Sequence, residues 1–425
     1  MKSNYLKLLK ILTNKYQKKF GNIWGVSLLS EKNPVKTRVF HNIMKEIKPE
    51  PVKIFPFIMQ AVGKYFSFGF RYCLFLHKES KKPVKNLFVT YNENHLESLY
   101  SLPDSEILLI PQKTDWKEVW NSWQRCLYEF IRLSDFAYIG FKYVTYTLVY
   151  LRHFISLKND ICLLSKALLN REDGWELFRE EIIRSFVGDV LIENLFYERI
   201  FQNINKNYLE LEKIIYPYEG QNWEKALIVN TKAKSIGVLC TIPSHNMMSF
   251  WGNAITPDHI GVIGLASYYQ FKDYYGDKVF ILGSTRHQYL KDVETSKGTE
   301  ILVLLGHDDY QNQLLLEYAE EFIKEYRVRY HPTKVKPIYG TLKEDLMSAK
   351  KIVLNSDSMV SVEAYLMGIQ SEIVLFEDYV DLNPLEISLR RTDFNVEKFD
   401  NRETVKKYLF EFNSNEEMIR RIEEL

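Results

Sequence analysis

The sequence predicts an α/β protein built from two halves that face each other across a cleft. The chain has 425 residues, which is enough for two domains with a core in each. Short β-prone runs alternate with helical segments, and this alternation favours parallel sheets with crossover helices. The stretch 351–376 has the pattern of a strand, a turn, a helix and a second strand. We place the boundary near residue 225, which gives domains 1–224 and 225–425.

Composition excludes several classes of protein. Hydrophobic residues make up 46% and charged residues 26% of the chain, as is usual for globular proteins. The formal net charge of +1 gives no electrostatic reason to expect a nucleic-acid partner. The four cysteines are scattered without a CxxC pair, which favours reduced thiols in a cytoplasmic protein over zinc ligands or disulfides. The amino-terminal stretch lacks the apolar core of a signal peptide.

The first half is predicted to begin with a strand at residues 23–29, followed by a polar loop and a helix. Further strands are expected at 86–91 and 106–110, each bounded by polar or proline-containing turns. From residue 116 to about 211 the pattern is mostly helical. The segment 215–218 contains a proline between tyrosines and is predicted to be a loop.

One stretch of the first half, residues 55–76, is apolar and aromatic over nearly the length that spans a membrane. Lys64 and Arg71 interrupt it, and both would be costly at the centre of a bilayer. Two interpretations remain open: the segment is buried in the protein, or it lies in a membrane interface as a peripheral contact. The second would place the cytoplasmic protein at the inner membrane.

The second half contains seven short β-prone runs, with helices predicted between several of them at 312–325 and 341–349. These predicted strands are 235–239, 259–263, 278–282, 300–305, 326–330, 351–354 and 373–376.

A polar turn follows the strand at 351–354 and contains Asn355, Ser356 and Ser358, with Glu363 in the helix after it. Unpaired N–H groups and the helix dipole favour an anion where a strand ends and a helix begins. The serine hydroxyls add donors, so a nucleotide phosphate would fit this turn. An ordinary capped helix fits the same pattern.

Glu219 lies between Pro217 and Gly220, which places it in a loop. A carboxylate that faces a cleft can act as a general base or as a nucleophile in group transfer. The alternative is structural, with Glu219 as a helix-capping partner, Trp223 as a core anchor and Glu224 in solvent.

Three further loops after predicted strands carry groups suited to phosphate. His245 can donate a hydrogen bond to a phosphate or to an acceptor hydroxyl. Ser284 and Arg286 lie in a small turn, and Arg binds phosphate oxygens with two hydrogen bonds. His307 follows the strand 300–305, where nearby carboxylates raise the question of a metal, but no other ligands cluster with them. Each loop also fits an ordinary exposed turn.

The strand 326–330 ends with Arg329, His331 and Pro332. The proline stops further strand pairing and keeps His331 at the strand tip. If this tip lies close to the turn at Ser356 and Ser358, His331 can bind the same phosphate from the other side.

The order E-G-Q-x-W-E, G-S-x-R, basic-x-H-P and S-x-S followed by E-A-x-x-x-G resembles GT-B glycosyltransferases of bacterial surface carbohydrate biosynthesis. The H-P motif together with a serine motif is similar to that of transferases that use CMP-activated acidic sugars of the Kdo or sialic acid type. The resemblance implies a GT-B-like fold, with two Rossmann-like domains facing a cleft. Residues 1–224 would form the acceptor-side domain with a helical insertion, and residues 225–425 the nucleotide-sugar-binding domain.

Carried over residue by residue, the resemblance places His331, Ser356 and Ser358 at the cytidine phosphate and Glu363 at the ribose. Glu219 would be the catalytic carboxylate. Independently of the resemblance, we expect His245 to be a second catalytic residue, since it can donate a hydrogen bond to an acceptor hydroxyl. Arg329 stands where the family usually has lysine, and it keeps the positive charge.

The sequence therefore predicts a glycosyltransferase that moves a CMP-activated acidic sugar onto a glycan or lipid-linked acceptor, without a cofactor or metal. Three alternatives remain open. A UDP- or GDP-sugar transferase would use the same loops. A sugar epimerase would need a second acid/base pair, for which Asp189 and His307 are candidates. A non-catalytic surface-polysaccharide assembly protein would use its aromatic first half for docking at a membrane.

Overall fold

The computed structural model describes most of the chain. The described residues are 1–29, 38–48, 52–73, 83–91, 95–110, 131–244, 248–250, 254–306, 308–331, 340–356, 358–376, 380–384 and 402–425. The predicted site residues His245, His307 and Pro332 lie outside these ranges. Within these ranges, no helix combines the length and the apolar character that are needed to cross a membrane.

The first sheet has six strands in the order β2-β1-β3-β4-β5-β6. They are β1 (Asn86–Thr90), β2 (Ser105–Leu109), β3 (Lys213–Pro217), β4 (Lys234–Val238), β5 (His259–Val262) and β6 (Val279–Ile281). All neighbouring pairs are parallel. In β1, β3 and β4, four of the five residues are buried, as expected for a parallel sheet that is covered on both faces.

The second sheet has four strands in the order β10-β9-β7-β8. They are β7 (Glu300–Leu304), β8 (Arg327–Arg329), β9 (Ala349–Asn355) and β10 (Gln370–Val374). These pairs are parallel as well. Its central strands β7 and β9 are apolar and buried over most of their length.

Each sheet reverses its strand order once. In the first sheet, β2 lies on one side of β1 and β3 lies on the other. In the second, β8 and β9 flank β7 in the same way. A reversal of this kind leaves a crevice at the carboxyl ends of the two central strands, where open α/β sheets bind their ligands.

Helices cover the sheets, and those of the first half build an aromatic core that is continuous with the first sheet. They are α1 (Lys2–Phe20), α2 (Phe40–Met44), α3 (Ile54–Cys73), α4 (Leu133–Leu164), α5 (Gly174–Phe186), α6 (Asp189–Asn207), α7 (Asn222–Asn230), α8 (Leu265–Tyr275), α9 (Asp309–Phe322), α10 (Leu342–Ser348), α11 (Val360–Leu366), α12 (Arg402–Leu409) and α13 (Asn415–Glu423). Phe20 of α1 stacks on Phe186 of α5 with ring centroids 4.4 Å apart, which ties the amino-terminal helix to this core.

The α/β class and its parallel strands are confirmed, and nine of the predicted strands overlap observed ones. The strand predicted at 23–29 is wrong, because Trp24–Leu28 forms a buried π-helical turn. A short apolar run fits a buried helix as well as a strand, and Trp24 stacks on the aromatic core. The loop predicted at 215–218 is also wrong in its first part, where β3 runs to Pro217 in the centre of the first sheet.

The two sheets divide the chain between β6 and β7. Residue 225 lies in α7, which joins two neighbouring strands of the first sheet. The end of the described chain also returns to that sheet, because Glu411 donates its backbone N–H to Ile263. Met418 and Ile422 of α13 belong to the same hydrophobic cluster as Phe88 of β1. The first sheet is thus built from strands that precede the second sheet in the chain, and it is covered in part by a segment that follows it.

Candidate functional site

Glu219 lies at the reversal of the first sheet, directly after β3. Tyr91 follows the neighbouring strand β1, and its hydroxyl donates a hydrogen bond to Glu219 Oε1. Gln221 Nε2 donates to Glu219 Oε2 at 2.6 Å. A carboxylate offers about four lone-pair positions, so these two bonds leave acceptor positions on the half-buried Glu219 for a further donor.

The turn that carries Glu219 is fixed from inside the core. The buried Glu224 carboxylate accepts the backbone N–H groups of Glu219 at 3.1 Å and of Gly220 at 2.8 Å. Gly220 has φ of 80°, a conformation that glycine adopts without strain. The indole of Trp223, which is buried as expected, donates to Gln221 Oε1 at 2.8 Å. The structural alternative for this turn places Glu224 in solvent, which is wrong, because Glu224 is buried and binds the turn.

The loop after β6 carries Ser284, Arg286 and His287. Ser284 is buried, and its Oγ accepts the backbone N–H of His287 at 2.9 Å. Arg286 is exposed, and within the described part of the chain we find neither a hydrogen bond nor a salt bridge of its guanidinium. Ser284 therefore shapes the loop, and Arg286 offers a cation at its surface.

Glu363 reaches this loop from α11, which belongs to the second sheet. The hydroxyl of Tyr289 donates to Glu363 Oε2, and His287 Nε2 lies 3.6 Å from Glu363 Oε1. Burial raises the pKa of Glu363, while burial and the nearby charge of Arg286 lower the pKa of His287 to about 3. The imidazole is therefore uncharged at neutral pH, and its contact with Glu363 is not an ion pair.

His95 connects the Glu219 crevice with the Arg286 loop. Its ring meets the ring of Tyr91 edge-on, with centroids 5.0 Å apart, and its carbonyl accepts the Thr285 hydroxyl at 2.8 Å. Burial, with a contribution from Arg286, lowers the pKa of His95 to about 4. Its buried Nδ1 has no hydrogen-bond partner among the described residues. A neutral imidazole with an open nitrogen thus lies between the two groups.

Seven side chains form one polar group that spans both sheets, and we call it the cross-sheet cluster. Its members are Tyr91, His95, Glu219, Arg286, His287, Tyr289 and Glu363.

A buried thiol lies beside the cross-sheet cluster, where Cys240 Sγ is 3.6 Å from the His95 carbonyl. Cys240 follows β4, and burial raises its pKa to about 12, with Glu219 raising and Arg286 lowering it. The charges of Glu219 and Arg286 therefore have opposite effects on the pKa of the same thiol. A guanidinium beside uncharged imidazoles can bind an oxyanion, and a carboxylate in the same crevice can accept a proton.

The polar turn of the second sheet is satisfied largely within itself. Ser356 is buried and donates to the Val380 carbonyl at 3.4 Å. The hydroxyl of Ser358 accepts the N–H of Val360, the first residue of α11, at 3.3 Å. Ser358 thus binds one N–H of the first turn of α11, whereas Met359 at the N-cap makes no side-chain capping bond. Asn355, at the reversal between β9 and β7, keeps a buried Oδ1 with no hydrogen-bond partner in the described chain.

Arg329 and His331 lie at the edge of the second sheet. Arg329 forms an ion pair with Asp345, which also binds Arg327 at 2.6 Å. β7 separates the tip of β8 from β9, so His331 and Ser356 start from strand ends about 10 Å apart. The charge of Arg329 is thus already met by a carboxylate of α10.

Sequence reasoning found Glu219, Ser284, Arg286 and Glu363, all of which lie in or beside the cross-sheet cluster. It missed four members of the cluster. These are Tyr91, His95, His287 and Tyr289. Their position in the sequence could have indicated them. Tyr91 is the first residue after β1, and the other three lie in loops at the carboxyl ends of strands.

The described residues contain no group of three or more His, Cys, Asp or Glu side chains that could hold a metal ion. Comparison with known proteins gives no match to a family model, to a curated protein or to a solved structure.

Proposed function

We propose that the protein is a glycosyltransferase of the GT-B type, which binds a nucleotide sugar between its two sheets and transfers the sugar to a glycan or lipid-linked acceptor. The observation that carries this proposal is the cross-sheet cluster. In this cluster the carboxylate of Glu219 lies at the strand-order reversal of the first sheet. Arg286 is an exposed cation, and its loop contacts helix α11 of the second sheet. The motif resemblance favours a CMP-activated acidic sugar, such as Kdo or a nonulosonic acid, as donor.

In this proposal Arg286 binds the donor phosphate. When the sugar–phosphate bond breaks, negative charge develops on the departing nucleotide, and a fixed guanidinium stabilises that charge. The low pKa values of His95 and His287 keep both imidazoles uncharged at neutral pH. Arg286 therefore supplies the positive charge of the cross-sheet cluster. The hydrogen bond between Tyr289 and Glu363 holds the Arg286 loop against α11.

Glu219 acts on the other side of the sugar. Its carboxylate takes the proton of the acceptor hydroxyl as that oxygen attacks the anomeric carbon, or it attacks the anomeric carbon itself and is displaced by the acceptor. The hydrogen bonds from Tyr91 and Gln221 fix its orientation for either role.

A nucleotide-sugar epimerase is a second candidate, and one specific observation favours it. Epimerisation requires acid/base groups on both faces of the sugar, and the cluster places neutral imidazoles near both Glu219 and Glu363. The sequence candidate Asp189 does not serve here, because it bonds Arg184 at 3.3 Å in the helical part of the first half. An epimerase would interconvert UDP-sugars without an acceptor.

The first test is a thermal-shift screen against CMP, UDP, GDP, ADP and the corresponding nucleotide sugars, because a ligand of the native state raises Tm by mass action. A selective shift with CMP compounds supports the acidic-sugar donor. A shift with UDP or GDP compounds overturns that donor and keeps nucleotide-sugar binding. The absence of any shift would overturn the proposal and favour a non-catalytic assembly protein.

The second test is Glu219→Gln, assayed by release of the nucleotide from the donor that gives the shift. We expect turnover to be abolished and nucleotide affinity to stay within about twofold, because the amide keeps the shape of the side chain but is a poor base. Glu212→Gln is the control, because it makes the same change at an exposed carboxylate next to the other end of β3. Weakened nucleotide binding in Glu219→Gln would instead indicate a structural role.

A further inference from the structure

Helix α4 exposes a continuous apolar stripe. The stripe residues recur every three or four positions, which places them on one face of the helix. They are Phe141, Val144, Leu148, Leu151 and Ile155, with between 55% and 72% of each side chain exposed. Single apolar residues on a surface are ordinary, but a contiguous apolar patch marks an interaction site.

Helix α3 widens this stripe into a face. Phe55, Met59 and Phe66 are exposed on α3, and Phe66 lines an apolar pocket together with Val144 of α4. The two helices are joined where the Tyr65 hydroxyl donates to the carbonyl of Phe136 at 2.9 Å. We call this two-helix surface the α3–α4 face.

The α3–α4 face lacks uncompensated negative charge. The sequence of α3 contains no acidic residue, and α4 contains only Asp135 and Asp160. Asp135 pairs with Arg199 at 2.7 Å, and Asp160 pairs with Lys15 of α1 at 2.6 Å. Both carboxylates are therefore already neutralised by cations.

Positive charge flanks one end of the same face. Helix α1 has six lysines and no acidic residue, and it packs on α4 through the Tyr16 and Ser156 hydroxyls, 2.9 Å apart. Phe20 of α1 and His153 of α4 pack with ring centroids 6.0 Å apart. Their exposed chain neighbours Lys19 and Arg152 therefore bring two cations together beside the end of the stripe.

We propose that the α3–α4 face docks on an anionic lipid bilayer, with its apolar side chains inserted at the level of the acyl chains and its cations at the headgroups. Apolar insertion combined with cationic contacts is how peripheral helices bind such surfaces. Charge favours this occupant over a second copy of the chain, because the acidic residues of α3 and α4 are already paired and a second copy would offer no free carboxylate of this face to Lys19 and Arg152. The inference extends the expectation for residues 55–76 to α4 and α1, and it does not depend on the proposed enzymatic activity.

The test is flotation of the purified full chain with vesicles of phosphatidylcholine alone or mixed with phosphatidylglycerol. We expect recovery with the mixed vesicles, reduced by added salt because salt screens the cationic contacts. Leu148→Ser and Leu151→Ser should each weaken binding about tenfold. Lys19→Gln and Arg152→Gln should each weaken it about fivefold on the mixed vesicles.

Phe322→Ser is the matched control, since this α9 side chain is 64% exposed on the second half of the molecule, and it should leave binding unchanged. Equal recovery with both vesicle types, or unchanged binding of the four α1 and α4 variants, would overturn the proposal. A dimer in solution that Leu148→Ser converts to a monomer would also overturn it and identify a second copy as the occupant. The lysine and arginine variants alter only exposed charges, so they provide an outcome even if a serine variant is less stable.

Discussion

Replacing Arg286 with glutamine tests the cross-sheet cluster most directly. The guanidinium is exposed and makes no hydrogen bond or ion pair that the described residues reveal, so its removal strands no buried partner and should leave the fold intact. Hydrogen bonds to a charged group contribute about 1.5–3 kcal/mol. If Arg286 binds a donor phosphate, the Kd of the nucleotide should therefore rise by about 10- to 150-fold in Arg286→Gln.

The same substitution has a second consequence, which needs no ligand. The charge of Arg286 contributes to the low pKa values of His95, about 4, and His287, about 3. Arg286→Gln should raise both, and burial should still keep them below the ordinary value of about 6.5. Proton NMR of the imidazole C2 hydrogens over a pH series measures the change.

Arg420→Gln is the control, because Arg420 is an exposed arginine of α13 that pairs with Glu417 at 2.8 Å. It should change neither the nucleotide affinity, measured by calorimetry, nor the two histidine titrations. The reasoning is refuted if Arg286→Gln binds nucleotide as tightly as the parent chain. Unchanged titrations of His95 and His287 would show that Arg286 does not act on them.

Three further predictions concern stability. Glu224→Ala should lower the free energy of unfolding by about 2–5 kcal/mol, because the N–H groups of Glu219 and Gly220 lose their acceptor. Urea denaturation measures the change, and a loss no larger than in Glu320→Ala, at an exposed position of α9, would contradict it. The free energy of unfolding should fall as pH drops below about 6.5, because the unfolded chain binds protons at His95 and His287 that the folded chain does not. The loss should be about 1.4 kcal/mol per pH unit for each histidine. The stability of His287→Asn should fall less steeply with pH, and parallel stability curves of the variant and the parent chain would refute this. Burial raises the pKa of Glu363, so the stability that its protonated form contributes to the fold is present at pH 4 and is lost as pH rises. The stability of Glu363→Gln should therefore increase relative to that of the parent chain between pH 4 and pH 7. A relative decrease would argue against a raised pKa.

Most strands could be predicted because their apolar runs are short, β-branched and bounded by turn residues. The run at Trp24–Leu28 has the same composition, and nothing local distinguishes it from a strand. Its helical state depends on distant aromatic side chains, such as Phe186, that enclose Trp24. β3 escaped prediction for the opposite reason, since Pro217 at its last position suggested a loop.

The candidate site could be predicted only one loop at a time. Glu219 could be found because Pro217 and Gly220 mark a turn, but its partner Tyr91 is 128 positions away in sequence. The contact of Tyr289 with Glu363 spans 74 positions and joins two different sheets. Strand order decides such meetings, and strand order follows from packing over the whole chain. For the same reason, the sequence paired Arg329 with a ligand where the fold pairs it with Asp345.

The return of α13 to the first sheet has a consequence for how the protein is made. The last strand of that sheet, β6, ends at Ile281, yet Met418 and Ile422 are needed to cover Phe88. At a ribosomal rate of about 5–20 residues per second, the roughly 140 intervening residues take about 7–30 s to synthesise. During that interval the nascent chain carries a sheet with an uncovered apolar surface, and chaperones that recognise such surfaces have time to bind it.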